Sequence, residues 1–231
     1  MWRHGSGRKI LTSRSSFSKS ESASLWSKKS ILPGGFNSAG LREWAVLNDF
    51  GVDGYATQTS QEIRRKRRQV LDDPYVDLFS KRVSDECSRY LSGHPSPSDA
   101  LGRAFFGSRN FMAENILLSS LDSLFTLYPE GAKTLPTEFG LNSQYLLWKI
   151  SMKAPLELIC SYQIEGLNFR GITMVAFDPA LRRAYHGNCI NVAEKRIQGF
   201  FLKKGVHMHT KYAEFLLDGM VESLEKLANE G

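Results

Sequence analysis

Cysteine is scarce in this chain, and several motifs that indicate a particular chemistry are missing. The 231 residues hold three cysteines, Cys87, Cys160 and Cys189, without C-x-x-C spacing. An odd, widely spaced set does not predict a disulfide framework and is typical of a reducing compartment. A glycine-rich phosphate loop, a G-x-S-x-G elbow and an H-E-x-x-H motif are also lacking. His207 and His209 would point to different sides of a helix, so we expect no metal site. Because the motifs that bind nucleotides are lacking, we also expect no cofactor.

Long hydrophobic runs are missing as well. No stretch approaches the ~18 consecutive apolar residues of a transmembrane helix. The first basic residues are not followed by an apolar core of about 7–15 residues, so a secretory signal is not expected either.

Acidic residues are nearly absent from residues 1–32, which hold seven Lys and Arg, one acid, Glu21, and many serines. This segment accounts for the formal net charge of +6. A basic, serine-rich and acid-poor N-terminus predicts an organellar transit peptide over residues 1–32, and a disordered tail is the alternative. We expect the mitochondrial matrix as the destination, with a plastid as the other option.

Residues 33–71 are rich in Gly, Asn, Ser and Thr, which predicts a flexible linker. Their basic cluster comprises Arg64, Arg65, Lys66, Arg67 and Arg68. Such a cluster can contact nucleic acid, but interleaved aromatic residues are lacking. We interpret it as a solvated flank and expect no specific nucleic-acid partner.

Residues 72–231 predict one α+β domain, since helical spacing gives way to alternation. A first helix is expected from the Asp72-Asp73-Pro74 opening to Ser92-Gly93, and two more helices follow up to residue 127. Four alternating strands come next, near residues 145–153, 156–164, 170–177 and 182–192. Both faces of the third strand are apolar, so it should lie inside the sheet. A long amphipathic helix over residues 206–229 ends the chain.

The order of several short motifs resembles the nuclear transport factor two-like (SnoaL-like) superfamily, especially its uncharacterised plant and algal branches. The motifs are FFGS at 105–108, LLWKISM at 146–152, NFRGITMVAFD at 168–178 and RRAYHGN at 182–188. The resemblance implies a cone-shaped, curved antiparallel sheet packed on helices. Many members lack the long terminal helix, which leaves a START-like helix-grip fold as the alternative, although four strands are fewer than that fold requires.

Both folds enclose a pocket on the concave face of the sheet. Side chains on the apolar faces of the strands should line it, namely Trp148, Cys160, Tyr162, Met174, His186 and Asn188. Tyr185 should point away. These residues favour a non-catalytic module that binds a hydrophobic small molecule or a protein partner, with a homodimer through the sheet as a further option. Any membrane contact, through residues 199–204, should be peripheral at most.

The alternative function is a cofactor-free isomerase, cyclase or dehydratase, which the resemblance implies through some branches of the superfamily. His186 would then be the general base, and Tyr162 or Asn188 would stabilise the developing oxyanion. Those branches use a His-Asp or Tyr-Asp set, and the sequence places no acid in the pocket. The enzyme is therefore the less favoured hypothesis.

Overall fold

The computed structural model describes residue 32 and residues 35–47, 75–125, 128–164, 169–192 and 205–230. Residues 1–31 of the transit peptide predicted over residues 1–32, the basic cluster at 64–68 and the segment 199–204 lie outside the described residues. Leu32, the last residue of that prediction, is described and is buried. Within the described part of the chain, no helix is both long and apolar enough to cross a bilayer.

In the part of the chain that the structure describes, six antiparallel strands form one curved, unclosed sheet. They are β1 (Tyr75–Arg82), β2 (Gln144–Tyr145), β3 (Trp148–Ala154), β4 (Glu157–Ile164), β5 (Phe169–Asp178) and β6 (Arg183–Val192). Their order across the sheet is β1-β6-β5-β4-β3-β2. The four strands predicted from alternation are confirmed, and β5 lies inside the sheet as its two apolar faces predict. Asp178 closes the β5–β6 turn, because its Oδ1 accepts hydrogen bonds from the N–H groups of Ala180 and Leu181.

Five α-helices accompany the sheet in the described residues. They are α1 (Ser38–Leu47), α2 (Asp85–Gly93), α3 (Pro97–Phe106), α4 (Arg109–Phe125) and α5 (Val206–Glu230). The predicted terminal helix over residues 206–229 is confirmed to within one residue. It packs against α2, α3, α4, β1 and β6, so it joins the helical layer to the sheet. The expected α+β class, with a curved antiparallel sheet and a long C-terminal helix, is confirmed.

The helix expected from Asp72 to Gly93 is wrong in its first half. Residues 75–82 form β1, which pairs with β6 from Tyr75 opposite Ile190 to Arg82 opposite Arg183. Val76 and Leu78 pack on one face of the sheet and Phe79 packs on the other, as in a strand that is covered on both faces. Pairing along a whole neighbouring strand overrides the local helical spacing. The helix begins only at Asp85, where Ser84 caps it by accepting a hydrogen bond from the N–H of Cys87 at 3.0 Å.

The flexible linker expected over residues 33–71 is wrong for residues 38–47, which form α1. Asn37 caps this helix, since its Oδ1 accepts a hydrogen bond from the N–H of Gly40 at 2.8 Å. Leu41 and Trp44 are buried, and the Trp44 Nε1–H group donates to the Met152 sulfur at 2.9 Å. The folded unit therefore starts before residue 72.

The two faces of the sheet bury separate apolar clusters. The face toward α2–α5, called here the helical face, holds the larger cluster, which includes Phe105, Phe111, Trp148, Leu158 and Phe177. The opposite face is covered by α1 and buries Ile159, Ile172, Met174, Ala176, Tyr185 and Cys189. All three cysteines are free and buried. Tyr185 points away from the helical face, as predicted.

Candidate functional site

A cavity of about 180 Å³ lies between the helical face of the sheet and helices α3, α4 and α5. Its wall is mostly apolar and aromatic, with a few polar groups among the apolar side chains. Sheet residues that line it are Trp148, Tyr162, Ile164, Thr173, His186, Asn188 and Ile190, beside Leu147 in the preceding turn. The helices add Phe105, Glu114, Leu118, His209, Tyr212, Ala213 and Leu216. Polar groups that converge in an apolar cavity are typical of a ligand site.

Four of the six residues predicted for the pocket line this cavity, namely Trp148, Tyr162, His186 and Asn188. Cys160 lies on the helical face but is buried in the core beside the cavity. Burial raises the pKa of its thiol, so it is a structural residue. The prediction for Met174 is wrong, because this side chain lies on the opposite face beneath α1. Its neighbour Thr173 takes the inward position.

His186 is held as a neutral imidazole. Its Nδ1 lies 3.0 Å from the backbone oxygen of Ala213 in α5. Because a carbonyl oxygen only accepts, Nδ1 must carry the proton, and Nε2 is then a hydrogen-bond acceptor. Burial lowers the pKa of His186 to about 4, although the bond to Ala213 works in the opposite direction. Nε2 has no hydrogen-bond partner among the described residues.

A directional chain of hydrogen bonds runs along the cavity floor from β3 to β1. The Trp148 Nε1–H group lies 3.4 Å from Thr173 Oγ1, whose hydroxyl donates to Asn188 Oδ1 at 3.1 Å. The Asn188 amide then donates to Asp77 Oδ1 at 3.0 Å. The Asn188 backbone N–H also donates to that oxygen, at 3.1 Å. These bonds fix the orientation of Asn188, whose amide has no freedom to flip without losing partners.

Asp77 and His209 lie against each other at one end of this chain of hydrogen bonds. Asp77 Oδ2 lies 3.1 Å from His209 Nε2, and the carboxylate is almost fully buried. Burial alone would raise the pKa of Asp77, but the hydrogen bonds and charge of His209 and the Asn188 amide hold it below its ordinary value. His207, in contrast, is exposed. Among the described residues, no group of three or more His, Cys, Asp and Glu side chains could hold a metal ion.

Glu114 of α4 is a second acid at the cavity, bonded to Tyr212 of α5. Glu114 Oε2 accepts a hydrogen bond from the Tyr212 hydroxyl at 2.6 Å. Burial raises the pKa of Glu114 to about 7, against the opposing effects of Tyr212 and His209. Its side chain lines the cavity and is partly exposed. The expectation of a pocket without an acid is therefore wrong.

Glu114 could have been found from the spacing of its neighbours. The buried residues of α4 include Phe111 and Leu118, which lie three residues before and four residues after Glu114. That spacing places Glu114 on the buried side of the helix. Ile116, which looks like an inward residue by hydrophobicity, is 64% exposed.

The glycine in the NFRG motif gives Tyr162 its place in the cavity wall. Gly171 of β5 lies directly opposite Tyr162 of β4. A Cβ atom at position 171 would lie 2.3 Å from the Tyr162 ring, so any side chain there would force the ring to move. Burial also raises the pKa of Tyr162, which keeps its phenol neutral.

Comparison with known proteins finds no family model, no curated protein and no solved structure that matches this chain. The resemblance to the nuclear transport factor two-like superfamily stays a prediction, and the function has to be argued from the cavity itself.

Proposed function

We propose that the protein is a non-catalytic module that binds a compact, largely apolar small molecule in the cavity on the helical face. The observation that carries the proposal is the cavity itself, with its aromatic wall and its few converging polar groups. The volume of the cavity limits the size of the ligand that it can hold. An engineered protein cavity of about 150 Å³ binds benzene, so about 180 Å³ suits a single ring with a short substituent rather than a long-chain lipid.

Pairing of two copies through their sheets is not part of this proposal. The face opposite the cavity is the one that such pairing would use. Leu41 and Trp44 of α1 already cover its middle strands.

Filling the cavity should abolish binding without unfolding the protein. Ile164 lies near the end of β4, is only partly buried and lines the cavity, so Ile164→Trp would place an indole in the ligand volume. Native mass spectrometry of the purified protein should detect a bound small molecule in the wild type and none in Ile164→Trp. Leu181→Trp, in the exposed β5–β6 turn, is the matched control and should retain the ligand. Equal occupancy in all three proteins would contradict the proposal.

The Asp77–His209 pair favours a second candidate, a cofactor-free enzyme that moves protons on its ligand. Asp77 Oδ2 lies 3.1 Å from His209 Nε2, so the carboxylate orients the imidazole of a candidate general base. Within this candidate His209 replaces His186 as the base. The pKa of His186 is about 4, far below neutral pH, which makes it a weak proton acceptor.

Deuterium exchange distinguishes this candidate from simple binding. A ligand identified in the cavity is incubated with the protein in D2O, and its mass is followed. An enzyme that removes a proton from carbon should introduce deuterium, at a rate that falls at least 100-fold in His209→Ala and much less in His207→Ala. No exchange above the rate in buffer would leave the binding module as the function.

A further inference from the structure

Among the described residues, Glu114 borders the cavity without a lysine or arginine partner there. The described residues that line the cavity include no Lys and no Arg. His209 also lines the cavity, and its Nε2 lies 3.1 Å from Asp77 Oδ2. Tyr212 donates to one oxygen of Glu114, and the other oxygen, Oε1, has no hydrogen-bond partner among the described residues. A carboxylate in this position costs free energy until a cation joins it.

The aromatic rings around the cavity would also attract a cation. Phe105, Trp148, Tyr162 and Tyr212 all line the cavity. A cation is attracted to the face of an aromatic ring when it lies within about 6 Å of the ring centre. Treated as a sphere, the cavity has a radius of about 3.5 Å, so an ammonium group inside it is within reach of the surrounding rings.

Two polar atoms at the cavity, His186 Nε2 and Glu114 Oε1, are hydrogen-bond acceptors that a ligand could use. His186 is 1% exposed, and its Nε2 carries a lone pair because Nδ1 donates to Ala213. Glu114 Oε1 is an acceptor whenever the carboxyl is ionised. A ligand that brings several N–H donors and a positive charge satisfies both atoms, whereas a carboxylate ligand satisfies neither.

We propose that the cavity binds a compact organic amine as its ammonium ion, paired with the Glu114 carboxylate and enclosed by the aromatic rings. This inference rests on the proposed function, because it names the class of ligand that occupies the same cavity. The ammonium ion would pair with the Glu114 carboxylate of α4, contact the aromatic rings of α3, α5 and the sheet, and donate a hydrogen bond to His186 Nε2.

Binding should become stronger as the pH rises to about 7 and should then level off. The ammonium ion requires ionised Glu114, and the pKa of that carboxyl in the free protein is about 7. Other titratable groups that face it are Tyr212 and His209 from α5, Tyr162 from β4 and His186 from β6. Both tyrosine pKa values are raised and that of His186 is lowered to about 4, so these three do not titrate between pH 6 and 8.

Two probes of nearly equal shape test the proposal, cyclohexylamine and cyclohexanol. Isothermal titration calorimetry on the full chain at pH 8 should give an amine affinity at least tenfold higher than that of the alcohol. At pH 6 the amine affinity should fall about tenfold, while the alcohol affinity stays constant. Cyclohexanecarboxylate should bind more weakly than either.

Glu114→Gln separates this proposal from the proposed function. The variant keeps the acceptor for Tyr212 and the shape of the side chain but removes the charge, so the two probes should bind within about threefold of each other. Glu222→Gln, an exposed change on α5, should retain the preference for the amine. If cyclohexanol binds as tightly as cyclohexylamine and Ile164→Trp abolishes both, the amine proposal is overturned and the proposed function stands. If neither probe binds and no small molecule co-purifies, both fail.

Discussion

Glu114→Gln should raise the free energy of unfolding at pH 8 by about 3 kcal/mol. The pKa of the Glu114 carboxyl is about 7 in the folded protein, against an ordinary value of 4.5. At pH 8 the folded state holds a buried charge that the unfolded state exposes to water, and each unit of pKa difference is worth about 1.4 kcal/mol. Glutamine removes that charge and still accepts the hydrogen bond from Tyr212.

The pH profile should change as well, because Glu114 and His186 act in opposite directions. The raised pKa of Glu114 gives stability that is fully present below pH 4.5 and is lost as the pH rises through 7. The lowered pKa of His186 gives stability that is present above pH 6.5 and is lost as the pH falls through 4. The two contributions nearly cancel between about pH 4.5 and 6.5 in the wild type. Glu114→Gln should therefore lose stability on acidification over that interval, where the wild type changes little.

Urea denaturation at pH values from 4 to 8 measures both effects. Glu222→Gln, on the exposed side of α5, is the matched control and should follow the wild-type profile. Equal stability of Glu114→Gln and wild type at pH 8 would mean that the Glu114 carboxyl is well hydrated. The cavity would then be open to solvent, and a ligand would gain little from pairing with the charge.

The second half of the fold could be predicted from the sequence, because β3, β4, β6 and α5 each carry a clear period and β5 is apolar on both faces. In β4 and β6 the residues that share a face with the apolar side chains were predicted to point toward the helices. That prediction is correct for Tyr162, His186 and Asn188. In β5 the apolar residues Met174 and Val175 lie on opposite faces, so hydrophobicity could not decide which one points inward. Only the pairing with β4 and β6 determines that Thr173, and not Met174, faces the cavity.

The other acid of the site was missed for a different reason. Asp77 belongs to β1, which lies far from β6 in the sequence, so no local pattern brings it next to Asn188. Its partner His209 comes from α5 and meets it only when the terminal helix packs on the sheet. Polar pairs of this kind depend on contacts between distant segments, and residue types alone do not show which polar group will find which partner.

The helix α1 was also missed, since residues around it are rich in Gly, Asn, Ser and Thr and its apolar patch is short. Ten residues are too few to form a stable helix alone, so α1 depends on the sheet that it covers. Its role is to bury the face opposite the cavity, where β5 and β6 present Ile172, Met174 and Cys189. Without α1 that apolar surface would be open to water.

Leu41→Ala should therefore destabilise the protein by about 2–5 kcal/mol, the usual cost of removing a fully buried leucine side chain. Leu41 is 0% exposed, and its Cδ2 lies only 2.8 Å from the point where a Cβ on Gly187 would stand, so the helix packs directly on the β6 backbone. Leu181→Ala, at a residue that is 59% exposed, is the control and should change the free energy of unfolding by less than about 0.5 kcal/mol. Thermal and urea denaturation of the full chain would measure both. If Leu41→Ala were as mild as Leu181→Ala, residues 38–47 would behave as the linker that their composition predicts, and the sheet would need another cover for its second apolar face.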